Sequence, residues 1–339
     1  MDEIRALFSI VEDQRHQGYV QHKLCDVLIM IMGGVVCGVT ELADMMVYIE
    51  SKQAFYQAHY GIDKFPSKPT LSRILNMVDG DAVGKVIIEI MRRKAGSLSD
   101  VIAADGKAIR SSGKKNQAHS FLQILTAYAT ECGVTLGQEA ISHEDKTNEI
   151  PMFQSMLDYL EVKGNQDNLH EDVKLFFEDN INDEDMQTYK TLEKNGGRIE
   201  KRTCRATDRI KGWLTDLPLW EGLQTVISIT RETTAKGVTT EETSYYITSL
   251  PCNAKHLLNI ARAHWKVESM HWSLDVIWHE DASGLLSENG LKTLNSFRKL
   301  ALLAHKRYVA TLPKKRSVKS NVLSALLNDS VAFDAMACL

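Results

Sequence analysis

The chain has 339 residues, 44% hydrophobic and 25% charged, with six prolines and a formal net charge of −4. It is long enough for two domains and a substantial core, and its balance is that of an ordinary soluble globular protein rather than a disordered or fibrous one. Six cysteines, at 25, 37, 132, 204, 252 and 338, show no paired spacing, which points to reduced thiols rather than a disulfide framework or a zinc ribbon.

The opening MDEIRALFSIVEDQR starts with acids and lacks the basic-then-apolar order of a signal peptide. Residues 1–95 read as an all-helical first domain, with apolar side chains at helical spacing over 7–11, 24–36, 42–56 and 82–91. LCDVLIMIMGGVVCGVT is the only membrane-like run; it is short, contains Asp26 and has Gly33-Gly34 at its centre, so a buried helix is expected. In GIDKFPSKPTLSRILNMVDG, Ser67 is an N-cap, Pro69 lies in the first turn and Arg73 rides on the short helix that follows. That pattern is compatible with a helix-turn-helix reader of DNA, but such spacing is common in helical domains and a structural helix pair is the favoured reading.

The second domain, 96–339, opens with VIAADGKAIR, an apolar run ending at Asp105 and a glycine turn. FLQILTAYA and VTLGQEAIS read as two further strands, followed by a helix over 148–161 and another over 169–179. GRIEKRTCRATD, LQTVISITRETT and EETSYYITSL are strands again, and 254–276 and 291–312 are long helices. Three strands and then a helix is how a ribonuclease H-like fold begins. Its next pieces, a parallel strand beside the first, a helix and another strand, are missing from LDYLEVKGNQDNLHED, where one helix passes through a short hinge into the next.

Charge is segregated. From 292 to 320 there are nine Lys or Arg and no acid, and from 190 to 211 eight basic residues against three acidic, while acids gather between 158 and 185. An acidic protein can carry a basic face for nucleic acid in this way, although basic runs are also the ordinary dress of solvated helices.

Two features bear on chemistry. Asp105 ends an apolar strand, where a rigid backbone can hold a carboxylate for Mg²⁺. In ARAHWKVESMHWSLDVIWHED, His264, Glu268, His271 and Asp275 are spaced four, three and four apart, on one helix face, with Trp265 and Trp272 at its flank.

These motifs together resemble the DDE transposases of bacterial insertion sequences, specifically the ISAs-type group that includes the H-repeat-associated proteins. The likeness covers VVCGVTELADM, FPSKPTLSRIL, AADGKAIRSS, KTNEIP, KGNQ, GRIEKR, YYITSL and RAHWKVESMHWSLDVIWHEDA. It implies an N-terminal helical domain followed by an incomplete ribonuclease H-like catalytic domain with a β-rich insertion and C-terminal helices. It further implies Asp105 and Glu268 as catalytic carboxylates binding Mg²⁺ or Mn²⁺. Lys107, Arg110, Lys146, Asn148, Arg262, His264 and Trp265 would line a channel for double-stranded DNA at the element ends. A cytoplasmic, nucleoid-associated protein is expected, and a homodimer is compatible with it.

In that family a strand ending in Asp-Ala, a helix and a further strand precede Lys-Gly-Asn-Gln. Here the predicted helix meets Lys163-Gly164-Asn165-Gln166 directly, so an internal deletion has removed the block with the second aspartate, and cleavage should be lost. Among the remaining acids, Asp158, Asp167, Asp172, Asp208 and Asp216 follow no strand of the right type. Three alternatives stand beside this one: an active nuclease in which Asp275, Glu280 or Asp281 substitutes; a zinc site from His264, Glu268 and His271; and a gene remnant with no selected function.

Overall fold

The computed structural model describes residues 2–95, 102–109, 122–130, 132–141, 160–162, 167–180, 185–195, 197–209, 222–282 and 287–339, and it is a mixed helix-and-sheet protein. The chain forms two compact units, one of residues 1–146 with 266–339 and one of residues 147–265. This partition differs from the expected boundary near residue 95, for a reason visible in the first unit's core.

The N-terminal helices are α1 (Asp2–Phe8), α2 (Leu24–Val36), α3 (Leu42–Ser51), α4 (Gln53–Tyr60), α5 (Lys68–Met77) and α6 (Gly80–Ala95). They are followed by β1 (Ile102–Ile109), β2 (Leu122–Ala129) and β3 (Val134–Ile141). At the far end of the chain lie α9 (Glu288–Thr311), α10 (Val318–Leu327) and α11 (Asp329–Ala337). One hydrophobic cluster takes in Phe8, the whole apolar length of α2, Tyr56, Leu71, Ile87, Tyr128 and Val134, together with Phe297, Leu300, Leu303, Val322 and Met336. An amphipathic helix must bury its stripe somewhere, and the N-terminal helices bury theirs against the C-terminal ones.

Two glycines explain how closely these helices pack. A Cβ on Gly33 would fall 2.1 Å from the Tyr56 hydroxyl and one on Gly34 2.3 Å from the Met45 sulfur, so a side chain at either position would force Tyr56 of α4 or the more flexible Met45 of α3 to move. The C-terminal carbonyls of α2, which have no partner within their own helix, are met from elsewhere in the unit. Trp278 Nε1 donates to the Val35 carbonyl at 2.7 Å, and His305 Nε2 to that of Val36 at 2.7 Å while its Nδ1 accepts from Asn321 Nδ2 at 2.8 Å. Burial pushes the His305 pKa down against that backbone hydrogen bond, which suits a neutral ring.

β1, β2 and β3 form an antiparallel sheet in that order, with Asp105 opposite Thr126 and Lys107 opposite Ile124. The expected turn after Asp105 is absent: Gly106 pairs with Leu125, and Lys107, Ala108 and Ile109 continue the ladder. A glycine weakens a strand without ending it when both neighbours keep their partners. Among the described residues, β1 has no neighbour on its other side.

The second unit is a five-stranded antiparallel sheet of order β4-β8-β7-β6-β5, made of β4 (Leu160–Val162), β5 (Gln187–Asn195), β6 (Arg198–Thr207), β7 (Thr225–Ala235) and β8 (Val238–Thr248), with helix α7 (Asp167–Asp179). The β7–β8 hairpin turns on Lys236 and Gly237, both at positive φ, as a tight two-residue turn requires. Alternation sorts the sheet's faces. Val226 and Ile247 pack with Val173, Phe176 and Phe177 of α7, while Cys204, Ala206, Ile227, Ile229 and Tyr246 pack with Leu257, Leu258 and Ala261 of the following helix, α8 (Ala254–Trp278).

β4 corrects an expectation. Residues 160–162, read from the sequence as the end of a helix, are a strand paired antiparallel with β8 through Leu160↔Ile247 and Val162↔Tyr245. Three residues are too few for periodicity to declare them a strand, and the pairing with β8 decides it. The remainder of that predicted helix, 148–159, lies outside the described residues. The run 24–36 is a buried helix as expected, and among the described residues no helix is long and apolar enough to cross a membrane.

Candidate functional site

The helix α8 carries most of the residues singled out by the motifs, and it belongs to both units: to the second up to Trp265 and to the first from Lys266. His264, Glu268, His271 and Asp275 all lie on it. Glu268 is exposed, His264 and Asp275 are half-buried and His271 is buried. The two tryptophans have different fates. Trp265 is half-buried with the Arg231 guanidinium 5.9 Å from its ring, whereas Trp272 is 64% exposed.

Within the first unit a charged cluster forms around Lys107 of β1. Its Nζ lies 2.5 Å from Asp275 Oδ1, hydrogen-bonds Glu280 and stands 4.0 Å from Asp281 Oδ1. Glu280 is fully buried and its second oxygen accepts from Asn295 Nδ2. Burial works against the Lys107 ammonium, but Glu280 and Asp275 outweigh it and hold its pKa above the ordinary lysine value. The three acids weighed above as substitute metal ligands therefore surround an ammonium. Lys107, expected in the DNA channel, is committed to them.

Beside this cluster, α9 is buried on all sides from Gly290 to His305, its charged residues included. Arg298 is fully buried with no hydrogen-bond partner for its guanidinium among the described residues; burial lowers its pKa while Glu280, Glu41 and Asp275 act to raise it. Lys299 donates to Thr126 Oγ1 at 2.8 Å and Gln138 Oε1 at 3.0 Å, and burial pushes its pKa down to about 8. The expected basic surface over 292–320 is thus in part a core: Lys292, Arg298 and Lys299 are buried, Lys292 between Asp81 and Glu288, and only the residues from Lys306 onward remain a basic surface.

The Lys299 shift has a measurable consequence. Above about pH 8 the native lysine is neutral while the unfolded one, near 10.5, still binds a proton, so the contribution of this group to stability rises with pH across that window. Stability of the parent relative to Lys299→Met should improve by up to about 3 kcal/mol between pH 7 and 10.5. Paired denaturation curves at the two pH values check this; a pH-independent difference would show that Lys299 titrates normally.

In the second unit, Arg262 bonds Glu193 through Nη2 at 2.7 and 3.0 Å, and Arg202 reaches the same carboxylate at 3.2 Å and also binds Glu200. Lys201 pairs with Glu232 at 2.6 Å, Arg209 with Asp185 at 3.5 Å, and Arg205 donates to the carbonyls of Phe177 and Asn180 behind α7. Of the basic excess of 190–211, Lys201, Arg202 and Arg205 are thus engaged within their own unit, while Lys190, Lys194, Arg198 and Arg209 remain exposed. Arg262, like Lys107, is held by a carboxylate. Arg110, Lys146 and Asn148 lie outside the described residues.

Asp105 sits mid-strand on β1 and Glu268 mid-helix on α8. Among the described residues no three His, Cys, Asp or Glu side chains are grouped so as to hold a metal ion. The zinc alternative fails here, since His264, Glu268 and His271 share a helix without converging on one point. The described residues likewise do not fit a divalent metal, because the closest gathering of acids encloses Lys107. Asn295, Arg298, Lys299, Thr126 and Gln138 went unnoticed in the sequence; the signal for the first three was α9 itself, whose LNSFRKLALLA is too apolar around Arg298-Lys299 for a solvated helix.

Residues 5–91 match the family model described as DDE_Tnp_1-associated. Most of the chain is similar to proteins named as transposases: it is 28% identical to "Putative transposase YncI" of Escherichia coli O157:H7 over 334 positions, covering 87% of this chain and 85% of that one. It is 26% identical to "H repeat-associated putative transposase YhhI" of Escherichia coli K12 over 338 positions, covering 87% and 88%. The chain is thus similar to proteins named as transposases, and the H repeat-associated ones are among them, as the motifs implied. A solved piggyBac transposase synaptic complex with hairpin DNA matches at 10% identity and a TM-score of 0.40 over 99% of this chain and 79% of that one, too slight a likeness to bear on the ribonuclease H-like expectation.

Proposed function

We propose that this chain is a DNA-binding protein of the H repeat-associated transposase group that no longer cleaves DNA. The observation that carries the reading is the closed charge cluster, in which Lys107 takes up Asp275, Glu280 and Asp281. Two-metal phosphoryl transfer needs carboxylates that hold both ions about 3.5 to 4 Å apart. The substitute acids that would allow this are occupied, and only Asp105 and Glu268 of the family's carboxylates are left in the sequence.

The alignments support a lost block. The YncI alignment runs for 334 positions yet takes in only 87% of this 339-residue chain, so several dozen of its positions face gaps here. A shorter alignment, to "Putative transposase YncI" of Escherichia coli K12, takes in 46% of the chain over 160 positions and has almost none. Gaps on that scale suit the removal of a strand, a helix and part of a further strand.

Purified protein should bind duplex DNA despite its net negative charge, with affinity falling steeply as salt rises, by a logarithmic slope of about 0.9 for each phosphate neutralised. Affinity that is the same at low and high salt would sink the DNA-binding reading. In Mg²⁺ or Mn²⁺ it should neither nick nor join duplexes carrying its element's ends. Cleavage abolished by Asp105→Ala would show instead that another acid serves, and Asp275→Asn would then identify it.

A further inference from the structure

Lys107 and Arg262, two of the cations named by family resemblance, are spent on carboxylates, which raises the question of what else meets a phosphate. One cavity of the first unit, about 390 Å³, is lined by Tyr128 of β2, by Thr130, Cys132 and Gly133 of the β2–β3 turn, by Lys266 and Ser269 of α8, and by Leu303, Lys306, Arg307 and Ala310 of α9. The spacing explains the lining. Residues 303, 306, 307 and 310 recur on one face of a helix, and 266 and 269 lie one turn apart.

The cavity is basic. Lys306 Nζ donates to the Tyr128 hydroxyl at 3.2 Å and sits 5.8 Å from that ring's centre, which holds the ammonium at the wall. Burial lowers the Lys306 pKa, and the charge of Lys266 lowers it further, so the two ammonium groups repel one another across the same space. Among the described lining residues there is no carboxylate to relieve them. Glu131, which the sequence puts inside the turn, lies outside the described residues. Two cations facing one cleft are stabilised by an anion between them, and lysines are point-charge partners for phosphate oxygens. The hydroxyls of Thr130 and Ser269 line the same space.

We propose that this cavity, through Lys266 and Lys306, binds a phosphate of a nucleic-acid backbone. The proposal rests on the DNA-binding reading above and names the residues that perform it. A backbone contact carries no sequence information, so the cavity positions DNA without choosing it.

The test is binding of a labelled random-sequence duplex to the full chain at several salt concentrations. For Lys266→Gln with Lys306→Gln, the salt slope should fall by about 2 and low-salt affinity should drop several-fold. Lys306→Arg should retain the parent slope, as should Lys85→Gln, an exposed lysine on α6. Glu131→Gln should bind at least as tightly as the parent. A folded double variant with the parent's slope would overturn the site while leaving the DNA-binding reading intact. If the double variant does not fold, Lys266→Gln alone decides, since this exposed residue should lower the slope by about 1. Should the parent bind no duplex, the DNA-binding reading fails. Inorganic pyrophosphate then judges the cavity: thermal stabilisation of the parent that Lys266→Gln abolishes would support a phosphate site of another origin, and no stabilisation would overturn it.

Discussion

A chain given back the strand-helix-strand block of an intact relative, placed ahead of Leu160, is expected to gain metal-dependent DNA cleavage from a baseline of none and to unfold at a higher temperature. The insertion point follows from β4. An insert between Glu161 and Val162, where the sequence alone would put it, would divide a strand already paired with β8. The new strand should pair along the edge of β1 that has no described neighbour, which accounts for the stability gain. The same insert with its strand-end aspartate changed to alanine should keep that gain and lose the cleavage, because pairing needs backbone and metal binding needs the carboxylate. If the intact insert raises neither cleavage nor the unfolding temperature, the missing block is not the lesion.

Removing the ammonium at the centre of the first unit should be the most damaging single change in the cluster. Lys107→Met leaves Glu280, fully buried, with Asn295 as its remaining hydrogen-bond partner among the described residues, and leaves Asp275 beside it. Breaking one side of a buried ion pair typically costs about 3 to 5 kcal/mol, because the stranded charge is worse than no charge. Adding Glu280→Gln should recover part of that loss, and the coupling in a double-mutant cycle measures the interaction. Single and double losses that simply add would mean that Lys107 and Glu280 are energetically independent despite their contact.

Much of the architecture could be read in advance because long periodic segments announce themselves. The bounds of α2 were legible to the residue, β2, β3, β6, β7 and β8 were placed, and Ser67 and Pro69 marked the start of α5. β5 was missed, although TYKTLEK alternates and the Asn195-Gly196-Gly197 that follows is a turn signal; its charges disguised a strand whose Lys190 and Lys194 stay exposed. The helix read over 42–56 is two, broken at Lys52, and α10 and α11 were not anticipated. Of the candidate site, residue identities were legible and their partners were not. Lys107 and Arg262 are basic in the sequence and paired in the fold, because ion pairing is a long-range fact that no local pattern encodes. The same holds for α9: a run of lysines and arginines looks like a surface until the helix carrying it proves to be the centre of a core.

That shared core also has a timing. The apolar length of α2 is buried in part by α9 and α11, which the ribosome makes nearly two hundred residues after α6. At typical synthesis rates that interval is roughly 10 to 40 s, during which the most hydrophobic helix of the protein waits without its final cover. Newly made chains should therefore engage holding chaperones early, and a message truncated after the second unit's sheet should yield an insoluble product even though every strand of that sheet has been translated.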